Sequence, residues 1–326
     1  MNVIVLGAGT WGTTLAKVLN QNSHSVTLWH YNSNFIKLLE QNRYHPKLKV
    51  PISENIMFTS DFKEFEKFDI LVIAVPTQSI RQVLNEIKIF HKDLIVVNAS
   101  KGIEVSSLKT VSKIIKDTTL LSEKNIVALY GPSHAEEVAR KIPTTIVSAC
   151  TNISTARKIQ DTFSNQYFRV YSNDDIIGVE IGGAVKNIIA IAAGITIGIG
   201  YGDNTISALI TRGIAEIKRL GIEMGAKDKT FLGLSGIGDL IVTAMSTHSR
   251  NRTLGFELGK GKKINEVIDN MGMVVEGVQT SKAIFKLAKK MNVDMPICNN
   301  VYQILYNQKN PTLAIKDLMS RKLIDE

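Results

Sequence analysis

A run of apolar, mostly β-branched residues leads directly into a glycine-rich turn in the stretch Val3-Ile4-Val5-Leu6-Gly7-Ala8-Gly9-Thr10-Trp11-Gly12. The run 3–6 is typical of a strand buried in a parallel sheet. A helical pattern of apolar residues follows over 15–19. The glycines therefore lie between a predicted strand and a predicted helix.

Gly7, Gly9 and Gly12 have the spacing of a dinucleotide-binding loop. The first glycine permits the tight turn, the second lets the backbone approach a pyrophosphate, and the third allows close packing of helix on strand. The free N–H groups at the start of the helix face the anion. A strand, turn and helix with incidental glycines is the alternative, but this context favours a cofactor site.

The residue that reads the adenosine ribose is expected at the end of the next strand, predicted over 26–29. An acid there binds the 2′-hydroxyl of NAD and repels the 2′-phosphate of NADP. The sequence at this point is Trp29-His30-Tyr31-Asn32, which contains no carboxylate. Both NAD and NADP remain open as cofactors, with His30 and its neighbour Tyr31 as candidate contacts. A solvent-facing histidine at a strand end is the alternative.

Strand patterns continue to alternate with helical ones through the first half of the chain. Such alternation predicts a mostly parallel, doubly wound sheet of the Rossmann type, in which ligands bind beyond the carboxyl ends of the strands. The further predicted strands are 70–75, 94–98, 126–130 and 144–148.

Two of these strand ends carry polar residues. Lys101 follows one strand and is suited to a phosphate of substrate or cofactor, although a solvated surface lysine is the alternative. Gly131-Pro132-Ser133-His134 follows another, and Ser133 with Glu136 forms a capping-box pattern. A capped helix start behind a Gly-Pro turn is also a place where anions bind.

Helical patterns take over from about Asp174, and one helix carries Lys186 within a segment dominated by isoleucine, alanine and glycine. Residues three or four apart share a helix face, so Lys186 lies beside Gly183, Ala190 and Ala193. A buried ammonium is costly unless it is paired. The small residues either leave room for a ligand at the lysine or accommodate another helix, and a lysine whose ammonium reaches solvent is the further alternative.

Two later segments supply possible partners for a ligand at this lysine. The glycine-rich turn 233–240 presents Asp239, which can hold an amine if it lies near Lys186, or can act as a turn or helix cap. Ser249, Arg250 and Asn251 precede a helix and form a set of donors suited to phosphate. The alternative for them is an exposed basic helix start.

With 326 residues the chain is expected to form two domains, a dinucleotide-binding domain over 1–173 and a helical domain over 174–326. The net charge of +9 comes from 39 basic and 30 acidic residues that are intermixed, so nucleic-acid binding is not expected. The two cysteines and six histidines lack metal-ligand spacing, so no metal is expected. Without a signal-peptide pattern, and with its longest apolar stretch only Ile188 to Gly200, the chain is interpreted as cytoplasmic with no integral membrane segment.

The motifs in this order resemble the bacterial NAD(P)-dependent glycerol-3-phosphate dehydrogenase family over nearly the whole chain. The second-half motifs are more specific than the glycine loop. The similar segments are 3–9, 75–76, 99–102, 131–133, 168–172, 182–187, 209–213, 236–239, 249–252 and 274–277.

The resemblance implies reversible reduction of dihydroxyacetone phosphate to sn-glycerol 3-phosphate, a precursor of membrane phospholipids, by a homodimer. In the family the lysine matching Lys186 is the catalytic acid/base. We expect Asp239 to assist it. The matches that line the glycerol phosphate are Lys101, Gly131, Ser133, Asp239, Ser249, Arg250 and Asn251. Those that lie along the cofactor are Thr10, Trp11, His30, Ala135, Arg250, Val274 and Glu276. Family members often carry arginine near His30 or Tyr31, and its absence here leaves the choice between NAD and NADP open.

Two other functions are compatible with a cofactor domain followed by helices. A hydroxy acid or hydroxyacyl-CoA dehydrogenase would need a different acid/base, for instance His134, and would leave the cluster 249–251 unexplained. A non-catalytic dinucleotide sensor would bind cofactor without turnover, and Lys186 together with Asp239 argues against it.

Overall fold

The computed structural model describes residues 1–62, 65–87, 90–272 and 274–323. Within them, ten strands are assigned, and eight of these form one sheet. The strands are β1 (Asn2–Leu6), β2 (Ser25–Trp29), β3 (Tyr44–His45), β4 (Val50–Pro51), β5 (Ile56–Thr59), β6 (Ile70–Ile73), β7 (Ile95–Asn98), β8 (Ile126–Tyr130), β9 (Thr144–Ala149) and β10 (Phe168–Asn173).

The large sheet has the strand order β10-β9-β8-β7-β6-β1-β2-β5, and its pairs are parallel except for β8 with β9. The chain leaves β1 for β2 on one side and later returns to β6 on the other side. This reversal places a topological switch point at the carboxyl end of β1, where ligands bind in such sheets. The predicted Rossmann-type, mostly parallel sheet is confirmed.

The helices within the described residues flank this sheet in the first half and fill the second half. They are α1 (Thr10–Gln21), α2 (Ser33–Asn42), α3 (Ile80–Glu86), α4 (Val111–Thr119), α5 (Ala135–Ala139), α6 (Ile153–Phe163), α7 (Ile176–Ile199), α8 (Asp203–Glu223), α9 (Asp239–Met245), α10 (Arg250–Gly259), α11 (Ile264–Met271), α12 (Glu276–Met291), α13 (Pro296–Asn307) and α14 (Pro311–Met319). The expected all-helical second half is confirmed for the described part of the chain.

The chain divides into two compact units. The first comprises residues 1–101 and 109–180, and the second comprises residues 102–108 and the chain from Ile181 onward. The first has a core in which strand residues such as Val5 and Val72 pack with Leu15 of α1 and Ile159 of α6. The division into domains after residue 173 stays a prediction.

Sequence reasoning missed two strands of the sheet. β5 has a mixed burial pattern in which only Ile56 is buried, so its sequence lacks the continuous apolar run of the central strands. β10 alternates buried and exposed residues at its start because it lies at the edge of the sheet. Both strands complete the sheet at positions where one face is open to solvent.

The helix α7 contains Lys186 and, with 24 residues, is longer than the apolar stretch from Ile188 to Gly200. Among the described residues it is the one helix whose length and composition would allow it to cross a membrane. Of its most apolar window, 94% is buried inside the protein, as expected for the core helix of a folded domain. The prediction that the apolar stretch is too short to cross a membrane was therefore wrong, and the burial of α7 explains its apolar composition.

A buried carboxylate connects α8 to the start of α13. Glu216 is 2% exposed, and its two oxygens accept hydrogen bonds from the Ile297 N–H at 2.6 Å and the Cys298 N–H at 3.1 Å. These N–H groups belong to the first turn of α13, where no intrahelical acceptor exists. Burial raises the pKa of Glu216 to about 7.

This raised pKa predicts a specific pH dependence of stability. The unfolded pKa is near 4.5 and the folded one is about 7, so the stabilisation from protonated Glu216 is fully present below pH 4.5 and is lost as the pH rises through about 7. Relative to Glu216→Gln, which cannot ionise, the wild type is expected to lose about 3 kcal/mol of unfolding free energy over this interval. Urea unfolding across this pH range measures the difference, and parallel profiles for the two proteins would contradict it.

Candidate active site

The glycine loop has the geometry of a dinucleotide cradle. Gly7 has φ +112°, and a Cβ there would lie 2.6 Å from the Ala74 carbonyl oxygen. A Cβ on Gly12 would lie 1.9 Å from the Gly7 oxygen. A Cβ on Gly9, by contrast, meets no atom within 4 Å. Protein packing thus explains the first and third glycines, while the second borders open space at the start of α1.

The start of α1 is suited to an anion. Gly9 is its N-cap residue and offers no side chain to the first N–H groups, and the first turn contains no acidic residue. Orphan N–H groups at a helix start carry partial positive charge. Trp11 packs against a buried cluster that contains Ala135 of α5, so two of the predicted cofactor contacts belong to the same part of the core. These residues fit the pyrophosphate of NAD or NADP.

The end of β2 places His30 and Tyr31 together. The imidazole ring of His30 and the phenol ring of Tyr31 stack with their centroids 4.5 Å apart, and Tyr31 is 78% exposed. His30 Nδ1 accepts a hydrogen bond from the Asn32 N–H at 3.1 Å. Burial lowers the pKa of His30, which favours the neutral ring, and in that form the hydrogen is on Nε2 because Nδ1 is the acceptor. The position offers a donor and no repelling acid.

Lys101, Gly131 and Ser133 meet at the carboxyl ends of β7 and β8. The Lys101 ammonium and the Ser133 hydroxyl both donate to the Gly131 carbonyl oxygen, each over 3.0 Å. The capping box predicted for Ser133 and Glu136 is wrong, because α5 begins at Ala135 with His134 as N-cap and has no side-chain cap. The Ser133 hydroxyl folds back on Gly131 instead.

A buried network that sequence reasoning missed holds the residue before Lys101. The Tyr130 hydroxyl donates to the Ser100 carbonyl, and the Asn98 side-chain oxygen accepts from the Ser100 N–H at 2.9 Å. The Asn98 amide in turn donates to the Tyr130 hydroxyl at 2.6 Å. Both side chains are almost fully buried. The available signal was a polar residue closing each of two otherwise apolar strands.

In the second unit the predicted lysine and acid are in direct contact. The Lys186 ammonium donates to the Asp239 carboxylate and, at 2.7 Å, to the Thr243 hydroxyl. Lys186 is 6% exposed and Asp239 is 1% exposed. The Thr243 hydroxyl also donates to the Asp239 carbonyl at 2.6 Å. Sequence reasoning missed Thr243, although residues four apart on a helix share a face.

Backbone contact explains how Asp239 reaches the lysine. Within the predicted glycine-rich turn, the segment Leu234–Gly238 forms a π-helical turn that continues into α9. A Cβ on Gly182 would lie 2.6 Å from the Ser235 carbonyl oxygen. The missing side chain lets this turn approach α7 about one helical turn before Lys186.

The predicted phosphate cluster lies at the start of α10. The Ser249 hydroxyl caps this helix by accepting the Arg252 N–H at 3.3 Å. The Asn251 amide donates to the Asn187 side chain at 3.0 Å and its oxygen accepts the Gly277 N–H at 3.0 Å. Asn251 therefore bridges α7 and α12. Its contact on α7, Asn187, is the residue that follows Lys186 in the sequence.

The cationic member of this cluster lies near the predicted cofactor residues of the same unit. The Arg250 guanidinium donates to the Val274 carbonyl at 2.6 Å, and Glu276 begins α12 two residues later. Val274 is 51% exposed.

Close backbone packing holds α10 on α7. A Cβ on Gly194 would lie 2.0 Å from the Arg252 carbonyl, and one on Gly255 would lie 2.0 Å from the Ile191 carbonyl. Side chains at either position would separate the helices and move Ser249–Asn251 away from α7. Glycine in α7 thus accommodates another helix, which was one of the two interpretations of the small residues around Lys186. Ala190 and Ala193, predicted to leave room for a ligand, are fully buried, and Ala193 packs with Ile206 and Ala244.

Among the described residues, no group of three histidine, cysteine, aspartate or glutamate side chains could hold a metal ion. The sites described above bring together a buried amine paired with a buried carboxylate and, at the start of α10, donors suited to phosphate.

Known proteins resemble this chain along its whole length. The family described as NAD-dependent glycerol-3-phosphate dehydrogenase matches through its N-terminus over residues 2–156 and its C-terminus over residues 175–316. The glycerol-3-phosphate dehydrogenase (NAD(P)+) of Oceanobacillus iheyensis is 50% identical over 327 residues, covering 99% of this chain and 95% of that protein. That of Bacillus subtilis is also 50% identical over 327 residues, covering 98% and 94%.

A solved structure has the same fold as this chain. The crystal structure of glycerol-3-phosphate dehydrogenase from Coxiella burnetii aligns with a TM-score of 0.92 at 34% identity, covering 98% of this chain and 99% of that one. The likeness in sequence therefore extends to the fold of both halves.

The open space at Gly9 yields a testable contrast with Gly12. Gly9→Ala is expected to leave the thermal stability of the cofactor-free protein unchanged, because the new methyl group meets no protein atom. The methyl group would occupy the pyrophosphate position and raise the Kd for NADH or NADPH by about tenfold or more, roughly 1.4 kcal/mol. Calorimetric titration measures this Kd.

Gly12→Ala is the matched control. Its methyl group would collide with the Gly7 carbonyl, so it is expected to cost about 1–3 kcal/mol of stability. Unchanged dinucleotide affinity in Gly9→Ala would contradict the placement of the pyrophosphate beside this glycine.

Proposed function

The chain belongs to the NAD-dependent glycerol-3-phosphate dehydrogenase family, and we propose that Lys186 is the acid/base with which it interconverts dihydroxyacetone phosphate and sn-glycerol 3-phosphate. Proteins of this family are NAD(P)-dependent oxidoreductases, and their substrate is a phosphorylated triose. The observation that carries the proposal is the buried ammonium of Lys186, which lies on the mostly apolar helix α7 and is paired with Asp239 of α9.

The proposed chemistry assigns Lys186 to the oxygen of the reacting carbon. A bound nicotinamide dinucleotide supplies or accepts the hydride. As the ketone is reduced, its oxygen becomes negative, and the Lys186 ammonium stabilises this charge and donates a proton to it. In the oxidative direction the neutral amine removes the proton from the hydroxyl. The low exposure of the lysine strengthens both interactions because little water screens them.

Asp239 is proposed to keep the amine in place. Its carboxylate and the Thr243 hydroxyl both accept hydrogen bonds from Lys186, so the orientation of Nζ is set by two contacts from one helix. Removing one member of a buried ion pair leaves an uncompensated charge, which typically costs about 3–5 kcal/mol. We propose a substrate-binding role for Asp239 as well, through a hydroxyl of the glycerol.

For the phosphate we propose Arg250 as the main cation of the second unit, with Ser249 and Asn251 beside it. The hydroxyl of Ser249 and the amide of Asn251 already take part in the cap and the bridge described above. The Arg250 guanidinium gives one hydrogen bond to the Val274 carbonyl but has five N–H donors in all, and its fork geometry is suited to bidentate contact with a phosphate.

Further roles are proposed from membership of the family. Lys101, Gly131 and Ser133 would contact the glycerol phosphate. Cofactor contacts would come from Thr10, Trp11, His30, Tyr31, Lys101, Ala135, Arg250, Val274 and Glu276. The pairing of Lys101 and Ser133 on the Gly131 carbonyl supports a shared role for these three residues.

The absence of an acid at 29–32 supports the use of either NAD or NADP. We further propose that the protein is a cytoplasmic homodimer that supplies glycerol 3-phosphate for phospholipid synthesis. A spectrophotometric assay with dihydroxyacetone phosphate and either NADH or NADPH tests the activity, and failure to oxidise both would contradict it.

The role of Lys186 predicts the behaviour of two variants. Lys186→Met is expected to lower kcat by about 10²–10⁴-fold while dinucleotide binding is retained. Because this variant removes the ammonium that pairs with Asp239, the double variant Lys186→Met/Asp239→Asn removes the buried negative charge as well. Its kcat is expected to be reduced to a similar extent, since residues that act as a unit are not additive.

Lys286→Met, which alters an exposed lysine of α12, is the matched control and is expected to keep full activity. Steady-state kinetics and calorimetric binding of the dinucleotide measure both effects. Near-normal turnover in the double variant would remove Lys186 from the mechanism.

A further inference from the structure

A buried histidine contacts the glycine loop from a separate hairpin. His45 of β3 is 1% exposed, and its Nε2 lies 3.2 Å from the carbonyl oxygen of Ala8, the residue between Gly7 and Gly9. Its Nδ1 accepts a hydrogen bond from the Leu48 N–H at 3.1 Å. Because Nδ1 is the acceptor, the hydrogen of the neutral ring is on Nε2, which therefore donates to Ala8. Burial lowers the pKa of His45, which favours this neutral form.

This contact determines the direction of a neighbouring N–H group. The peptide joining Ala8 to Gly9 is planar and trans, so its N–H points away from its carbonyl. Holding the Ala8 carbonyl toward His45 therefore directs the Gly9 N–H away from His45. Gly9 is the N-cap residue of α1 and the glycine whose missing side chain borders open space. His45 thus controls the orientation of a donor in the part of the loop assigned to the pyrophosphate.

The hairpin that carries His45 is held firmly against the same region. β3 pairs with β4 in antiparallel register, His45 opposite Val50. Val50 and Leu48 are buried in a cluster with Ala135, against which Trp11 packs. The Lys17 ammonium of α1 donates to the carbonyl of Pro51, which anchors the end of the hairpin. The imidazole is therefore fixed relative to α1 before any ligand arrives.

We propose that His45 is a positioning residue of the dinucleotide site, acting through the Ala8 carbonyl to present the glycine loop to the pyrophosphate. The inference rests on the proposed cofactor site. Because the donor is oriented in advance, the loop does not have to be ordered when the ligand binds. The effect is expected in dinucleotide affinity, with little change in the KM for the triose phosphate at saturating dinucleotide.

Two substitutions separate this role from a purely structural one. In His45→Gln the side-chain nitrogen is two bonds beyond Cγ, as Nε2 is, so it can donate to Ala8 but cannot replace the Leu48 acceptor. In His45→Asn the side-chain oxygen is one bond beyond Cγ, as Nδ1 is, so it can accept from Leu48 but cannot reach Ala8. One variant keeps the contact to the loop, and the other keeps the contact within the hairpin.

Isothermal titration of each folded, dinucleotide-free protein with NADH and with NADPH measures the Kd, and thermal unfolding measures stability. His45→Asn is expected to raise the Kd about tenfold, the upper range for loss of one hydrogen bond, whereas His45→Gln stays within about twofold of wild type. The matched control is His24→Asn, because His24, which precedes β2, makes the same kind of contact through Nε2, also 3.2 Å long, to the Thr162 carbonyl of α6. It is expected to leave the Kd unchanged.

The outcomes are distinct. Wild-type affinity in His45→Asn, or an equal loss in His45→Gln and His45→Asn, would overturn the positioning role while leaving the proposed function intact. Failure of the wild-type protein to bind either dinucleotide would overturn the proposed cofactor site and this inference together.

Discussion

The buried pair of Lys186 and Asp239 is the constraint on which the described part of the second unit depends. Taking two charges out of water is costly, and the pair is stable only when its geometry is good and further hydrogen bonds satisfy it. The Thr243 hydroxyl supplies one such bond, and the bare backbone at Gly182 lets the turn before α9 come close enough to deliver Asp239. Glycine stands in α7 where another backbone approaches, and the few buried polar side chains of this mostly apolar helix have hydrogen-bond partners, as Lys186 and Asn187 do.

A comparable rule operates in the first unit, where polar groups are concentrated at the carboxyl ends of apolar strands. The strand order reverses at β1, and the glycine loop follows at that point. Asn98 and Tyr130 end β7 and β8, and together they fix both the N–H and the carbonyl of Ser100. Lys101 is thereby held by the backbone on one side and by the Gly131 carbonyl on the other. The apolar strands form the core of the sheet, and the polar residues at their carboxyl ends fix the backbone that carries Lys101.

Local patterns predicted the features that local physics controls. Continuous β-branched runs identified the central strands, and the spacing of Gly7, Gly9 and Gly12 identified the loop. Contacts between residues far apart in the sequence could not be predicted from local patterns. They are the contact of His45 with Ala8, the hydrogen bonds of Asn251 to Asn187 and Gly277, and those of the Glu216 carboxylate to the start of α13. The capping-box prediction at Ser133 failed for a related reason, since the Gly131 carbonyl competes for the hydroxyl. The contact of Lys186 with Asp239 was anticipated because an unpaired buried ammonium is so costly, but Thr243 was not.

Proton transfer by Lys186 is most directly tested by restoring the amine from solution. In Lys186→Ala, primary alkylamines can enter the space of the deleted side chain and take its place beside Asp239. The account predicts that added amines raise the depressed kcat and that the rescued rate varies with amine pKa, as Brønsted behaviour requires. Equal rescue by tetramethylammonium, which carries the charge but no transferable proton, would contradict proton transfer, and so would near-normal kcat without any amine.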